Sequence, residues 1–292
     1  MENLPLLSIC IPTYNRKKYL KESLDSIINQ EGFNEEEIEI VISDNASIDN
    51  TTEFVKEYQN KYKNIKYFRN DENIGADRNI IKVLQLGNGK YVWGISDDDI
   101  MLIGGLKAVK NAISDNIEQD IRFFQTNFNV LNQDTKTMFK ESYLGNGLET
   151  KIYKNISELY KSYSYCHNGL SFFSINIFSS RIYSLDLNNI PITQYPHSCI
   201  MGLISDKNAI FIACNAIGFR QHNSSIDNIG SFKGFFKIFV IDFIKYKRFL
   251  SKNKSLVSQK ALSFILFKMI IYSFYLGLRS LLERYKTIIK KT

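Results

Sequence analysis

An α/β fold built on a mainly parallel sheet with helices on both faces is predicted by three observations. Short apolar runs of strand length recur through the first hundred residues. Each is followed by a segment with helical periodicity, and the runs end in polar, turn-forming clusters. Residues 6–13, LLSICIPT, read as a strand buried on both faces and closed after Pro12, which leaves Tyr14 and Asn15 at its C-terminal end. The next stretch, RKKYLKESLDSIINQ, sets Tyr19, Leu20, Leu24, Ile27 and Ile28 on one helical face with Lys and Glu opposite. A second strand, EIEIVIS at 37–43, runs into DNASIDN and a helix near 50–62. NIKYFRN at 64–70 is a third strand. NIGADRNIIKVLQLG is then helical up to Gly87, and KYVWGIS at 90–96 is a strand that ends on Asp97, Asp98 and Asp99. In such a sheet the loops at the strands' C-terminal ends carry the ligand.

Beyond residue 115 the pattern weakens. Strand-like pieces stand at 121–130, 170–178 and 209–214, with a helix from about 196 to 206 and no internal repeat. From about 231 the chain becomes helical and crowded with aromatics, giving helices around 232–250 and 260–286. A boundary near residue 225 therefore separates an α/β domain (1–225, halves about 1–110 and 111–225) from a C-terminal helical extension (226–292).

Composition narrows the functional classes. With 292 residues, 44% hydrophobic and 23% charged, the chain buries one large core or a domain plus an appendage. Cys10, Cys166, Cys199 and Cys214 form no CxxC pair, which argues against a disulfide scaffold or zinc ribbon and for small buried hydrophobes. The N-terminus lacks the basic and apolar regions of a secretory signal, so a cytoplasmic location is expected. Net charge is +7, and it is unevenly placed. Residues 232–292 hold 14 Lys/Arg against 2 Asp/Glu, whereas the first 231 residues hold 23 against 28. An acidic body with a basic, aromatic tail suits an anionic membrane surface and not a nucleic acid.

Three consecutive aspartates at a sheet edge call for a cation, and Mg²⁺ or Mn²⁺ takes oxygen ligands from one or two carboxylates plus substrate phosphates. The alternative is a solvated acidic turn capping the next helix. Asp44 and Asn45 follow the second strand, where a carboxylate or amide reads a nucleobase edge or ribose hydroxyl; an Asx turn is the other reading. Arg78, near a helix start, offers its guanidinium to a phosphate or to a neighbouring acid such as Asp77.

Taken in order, LSICIPTYNR, EIEIVISDNASIDN, NIGADRN and YVWGISDDD resemble the family 2 glycosyltransferases, well over residues 5–110 and loosely to about 225. The resemblance implies the GT-A fold, a Rossmann-like sheet flanked by helices. It also implies inverting transfer from a nucleoside diphosphate sugar with Mn²⁺ or Mg²⁺. Pro12, Thr13 and Tyr14 look like the loop over the nucleotide, and Asp44 with Asn45 like the base contact. Arg78 looks like the basic residue near the diphosphate, and Asp97 and Asp98 like the ribose- and metal-facing part of a D-x-D-like element. Asp99, with Asp98 and His222, resembles the metal-holding set. Ser96 departs from the pattern, standing where relatives carry the first aspartate.

Inverting transfer needs a base for the acceptor hydroxyl. The acidic pair of many relatives is missing from ITQYPHSCIMGLIS, where His197 takes its place; Asp186 is the reserve, and a helix-capping or packing histidine the alternative. The implied acceptor is a surface glycan, polyprenyl-linked where the tail meets a membrane. Two readings of the tail follow: Phe232, Phe235, Phe236, Phe239 and Phe243 enter lipid beside basic residues, or they pack on the domain or on a second copy in a homo-oligomer. The run 261–278 carries Lys268 and falls short of a span. Two rival functions are a non-catalytic assembly factor on a degenerate fold and a sugar nucleotidyltransferase. The second lacks its Gly-rich phosphate loop here, as a dinucleotide oxidoreductase lacks its GxGxxG.

Overall fold

Leu7–Thr13 forms β1, whose near-complete burial on both faces explains its unbroken apolar pattern. The computed structural model describes residues 4–145, 148–162, 172–193, 196–204, 206–220 and 242–252. After β1 come α1 (Lys17–Ile28), β2 (Ile38–Asp44), α2 (Thr51–Lys61), β3 (Ile65–Arg69), α3 (Ala76–Leu86) and β4 (Tyr91–Gly94). The predicted alternation is present in full. Strands β3, β2, β1 and β4 lie side by side and all parallel. Helix α1 buries Leu20, Leu24 and Ile27, the stripe expected from the sequence. Helix α3 packs across β1, β2 and β4 through Ile81, Val83 and Leu84.

The second half continues the same sheet. It contributes β5 (Ile100–Met101), α4 (Gly105–Ser114), β6 (Phe123–Leu131), β7 (Met138–Lys140), β8 (Lys151–Tyr153) and α5 (Ile156–Ser162). After these come β9 (Asn176–Ser179), α6 (Pro196–Leu203), β10 (Ala209–Arg220) and α7 (Asp242–Lys252). The sheet order is β3-β2-β1-β4-β9-β6-β10-β5, with β7 on β6 and β8 on β10. β9 runs antiparallel to both neighbours, so it splices the parallel block of the first half to the parallel pair β6–β10. The architecture is mixed α/β, as expected from the sequence. Trp93, Phe123, Phe124, Phe178 and Phe211 fill the middle of the sheet without solvent contact.

Several elements depart from the sequence expectation. Helix α4 was not anticipated, although Leu106, Val109 and Ile113 follow helical spacing and are buried. β10 reaches Arg220, past the expected 214, because register shifts between Ile212 and Ile217 interrupt the alternation that a pattern search follows. Cys10 and Cys199 are buried free thiols and Cys214 is half-buried; Cys166 lies outside the described residues. In the extension, α7 packs on α6, Phe249 is half-buried against the core, and Lys245 Nζ donates to the Ile192 carbonyl at 3.2 Å. That stretch of the tail follows the packing alternative. Most of the tail, the 261–278 run included, lies outside the described residues. No helix among the described residues is long and apolar enough to cross a membrane.

Candidate active site

Three parallel strands deliver their C-terminal ends to one edge. Thr13 stands opposite Asp44 in the β1–β2 register, and β4 runs beside β1 and hands the chain to residues 95–99. The aspartate loop folds back over the end of β1: Thr13 Oγ1 donates to Asp97 Oδ2 at 2.7 Å. Arg16, at the start of α1, donates from one guanidinium nitrogen to Asp97 Oδ1 at 3.2 Å and to Asp98 Oδ2 at 2.9 Å. Ser174, just before β9, donates to Asp99 Oδ2 at 2.5 Å and accepts from the Ser96 N–H at 2.9 Å. The alternative of a solvated acidic turn does not describe this loop, since all three carboxylates are buried.

Burial dominates the electrostatics. Loss of water, then the charge of Asp98, pushes the Asp97 carboxyl up to about 7 against the pull of Arg16 and Thr13. Burial likewise raises Asp98, and burial followed by the Asp98 charge raises Asp99 well above the carboxylate range. Asp99 Oδ1 is buried with no hydrogen-bond partner among the described residues. An all-oxygen set with one unpartnered buried oxygen suits a hard divalent cation. No group of three or more His, Cys, Asp or Glu side chains among the described residues forms a ready-made cation cage. A hard cation held by these carboxylates would need further oxygen ligands to complete its shell.

Asp44 is fully buried and accepts from the Ser47 N–H at 2.9 Å and from the Tyr67 hydroxyl at 2.5 Å, with Arg69 Nε at 4.0 Å. Asn45 is held by its neighbours. Its Oδ1 accepts from Asn70 Nδ2 at 3.0 Å and from the Ile74 N–H at 2.9 Å, and its Nδ2 donates to Asn73 Oδ1 at 2.7 Å. Asn79 closes the net by donating to the Ser43 carbonyl at 2.8 Å and accepting from Ser43 Oγ at 2.7 Å. NIGADRN is thus a brace that fixes the end of β2 against α3. Gly75, with φ +85°, supplies the left-handed turn it needs.

The remaining sequence candidates are spread more widely. Pro12 is half-buried within β1 and Tyr14 is 43% exposed at its end. Arg78 donates to the carbonyls of Asn188 and Ile190 at 2.9 and 3.2 Å, so the structure gives it main-chain partners in the second half and no carboxylate of the aspartate loop. His197 is buried on α6, its ring 5.6 Å from that of Phe173, the neighbour of Ser174. Asp186 is exposed and accepts from Asn189 Nδ2 across a single turn. His222 lies outside the described residues.

Two contributors, Arg16 and Ser174, were not found from sequence. Arg16 lay within the quoted LSICIPTYNR, directly after the Tyr14-Asn15 turn, where a basic residue near three acids was a usable signal. Ser174 reaches Asp99 across 75 residues and has no local signature. Arg220, ending β10, donates from Nε to the Asp98 carbonyl at 3.1 Å and from a terminal nitrogen to the Gln133 carbonyl at 2.8 Å, and pairs with Glu22.

Residues 8–179 match the family model described as Glycosyl transferase family 2. The chain is 34% identical over 264 residues to abequosyltransferase RfbV of Salmonella typhimurium, covering 86% of this chain and 77% of that protein. It is 35% identical over 107 residues to the GalNAc(5)-diNAcBac-PP-undecaprenol beta-1,3-glucosyltransferase of Campylobacter jejuni, covering 36% of this chain and about a third, 34%, of that one. The crystal structure of S. aureus TarS 1-349 superposes with a TM-score of 0.63 at 18% identity, over 90% of this chain and 70% of that one. The same protein in complex with UDP-GlcNAc gives 0.60, over 82% and 66%. These structural likenesses show the fold.

Proposed function

The chain belongs to glycosyl transferase family 2, and on that footing we propose that it moves a sugar from a nucleoside diphosphate donor to a hydroxyl of a lipid-linked surface glycan, with inversion and a divalent cation. One observation carries this reading: three buried carboxylates at the end of β4, tied to Thr13 and one strand from Asp44, with Asp99 Oδ1 unpartnered among the described residues. The UDP-GlcNAc complex of TarS supports the donor class. The undecaprenol-linked substrate in the name of the Campylobacter relative supports the acceptor class.

In this reading Asp44 and Asn45 hold the base and ribose, and Pro12, Thr13 and Tyr14 line the nucleotide. Asp98 and Asp99 would hold the cation, Mn²⁺ or Mg²⁺, with Asp97 fixed beside them by Thr13 Oγ1, and His222, outside the described residues, would be a further ligand. When bound, that cation neutralises charge developing on the departing nucleoside diphosphate. Arg78 holds the 188–190 segment against α3. The acceptor oxygen attacks the anomeric carbon from the face opposite the diphosphate, and a side chain must take its proton. His197 is the first choice, joined by ring contact to Phe173 and through it to Ser174 and Asp99. Asp186 is the second.

The basic, aromatic extension would bring the enzyme to the cytoplasmic face of a membrane bearing the acceptor. The direct test is thermal unfolding of the full chain against a panel of nucleotide sugars, with and without Mn²⁺. At least one should raise the midpoint, and more so with Mn²⁺. Indifference to every nucleotide sugar would overturn the donor assignment, and protection insensitive to Mn²⁺ would overturn the metal.

A further inference from the structure

We infer that Arg16 is an exchangeable internal counter-cation: in the donor-free protein it holds Asp97 and Asp98, it competes with the divalent cation for Asp98, and it moves onto the diphosphate when the two arrive together. This rests on the metal-dependent reading above and adds a residue to it. A single guanidinium nitrogen bridges both carboxylates, at 3.2 and 2.9 Å. The arginine side chain is 35% exposed, whereas those of Asp97 and Asp98 are 6% and 11% exposed. Arg16 therefore sits on the solvent side of the acids, where a diphosphate has to approach.

The second arginine at the site cannot play this part. Arg220 is 4% exposed and spends its three nitrogens on the Asp98 carbonyl, the Gln133 carbonyl and Glu22. Arg16 has a long stem at the start of α1, and its bonds to Asp97 and Asp98 include one to an Asp98 oxygen that a cation would also use. A divalent ion on Asp98 Oδ2 and a guanidinium on the same oxygen repel each other, so one must leave. A planar guanidinium released a few ångströms from a diphosphate has the geometry to fork onto two of its oxygens.

The exchange has a signature of opposite signs. In Arg16→Gln, Mn²⁺ titrated alone should bind about tenfold tighter, because a like charge has been removed from its ligands. UDP, CDP, GDP and dTDP, titrated in turn at saturating Mn²⁺, should bind more weakly to R16Q by about tenfold for whichever binds the wild type. Arg16→Lys should return Mn²⁺ affinity toward the wild-type value. Mn²⁺ binding is read by electron paramagnetic resonance and nucleotide binding by calorimetry, with circular dichroism to confirm folding. Arg16→Met, which keeps the stem, replaces R16Q if that variant does not fold. A merely structural arginine would weaken both ligands together, and that result overturns the inference. So does Mn²⁺ binding equally to wild type and R16Q, which leaves the metal reading standing. Mn²⁺ binding to neither protein removes both.

Discussion

Asp99 gives one oxygen to Ser174 and leaves the other buried without a partner among the described residues, an arrangement that costs stability and is hard to explain without a ligand. Its pKa is raised by burial and then by Asp98. The proton is held by both folded and unfolded states in acid, so the penalty is absent there. It grows as pH climbs from the unfolded value of about 4 toward the raised folded one. Asp99→Asn should therefore raise the unfolding midpoint of the ligand-free chain at pH 8, by about 2–4 °C for each kcal/mol recovered. That gain should fade as the scan is repeated toward pH 4. The same variant should lose Mn²⁺-dependent stabilisation and about 100-fold or more in turnover. A neutral or destabilising effect at pH 8 would mean the carboxylate is already compensated. Asp44 and the aspartate run were legible in the sequence because each directly follows an apolar strand. Arg16 and Ser174 were not assigned, since their roles arise only when β1, β4 and the turn before β9 meet. For the proton acceptor, replacing His197 by Gln and Asp186 by Asn, each checked for retained donor protection, separates the two. The true base loses kcat and its limb of the pH–rate profile while KM for the donor stays close to wild type.

At the level of elements, the first half was readable because its periods are clean: two-sided apolar strands alternate with helices whose buried stripes recur every three or four residues. The second half was not, because its order depends on pairings that no local pattern records. β9 is four residues long and lies between strands that precede it in sequence by about 50 and 85 positions. β10 hides its length behind a register shift. The junction of the two halves is also a sensitive point. At Gly94, the last residue of β4, an added Cβ would stand 2.0 Å from Cζ of Phe173, the ring on which His197 packs. Gly94→Ala should push that ring away from β4 and cost about 1–3 kcal/mol in urea unfolding. Because Phe173 precedes Ser174, turnover of the remaining folded protein should fall as well. If G94A lost stability alone, with kcat intact, the turn before β9 would be a packing device without influence on the carboxylates.

Across the whole molecule the charge is divided, with an acidic body and a tail carrying 14 Lys/Arg and 2 Asp/Glu over residues 232–292. Helix α7 accounts for a part of that tail by packing on α6, with Phe249 half-buried against the core while Lys245 and Arg248 stay exposed. This helical segment thus docks on the domain with an aromatic, ties Lys245 to the Ile192 carbonyl and keeps Arg248 exposed. If that charge meets a membrane, attachment should be electrostatic first and apolar second. The full chain should co-float with vesicles containing anionic lipid and leave purely zwitterionic ones alone. Raising ionic strength from about 0.1 M to about 1 M shrinks the Debye length from ~10 Å to ~3 Å, and should release most of it. Charge reversal at Lys286, Lys290 and Lys291 should weaken flotation several-fold while nucleotide-sugar protection of the catalytic domain is unchanged. Retention on vesicles of either charge at high salt would point to apolar insertion instead. Retention on none would leave the tail's aromatics the role Phe249 already plays, that of packing against protein, and would require the lipid-linked acceptor to be presented to the enzyme by another component.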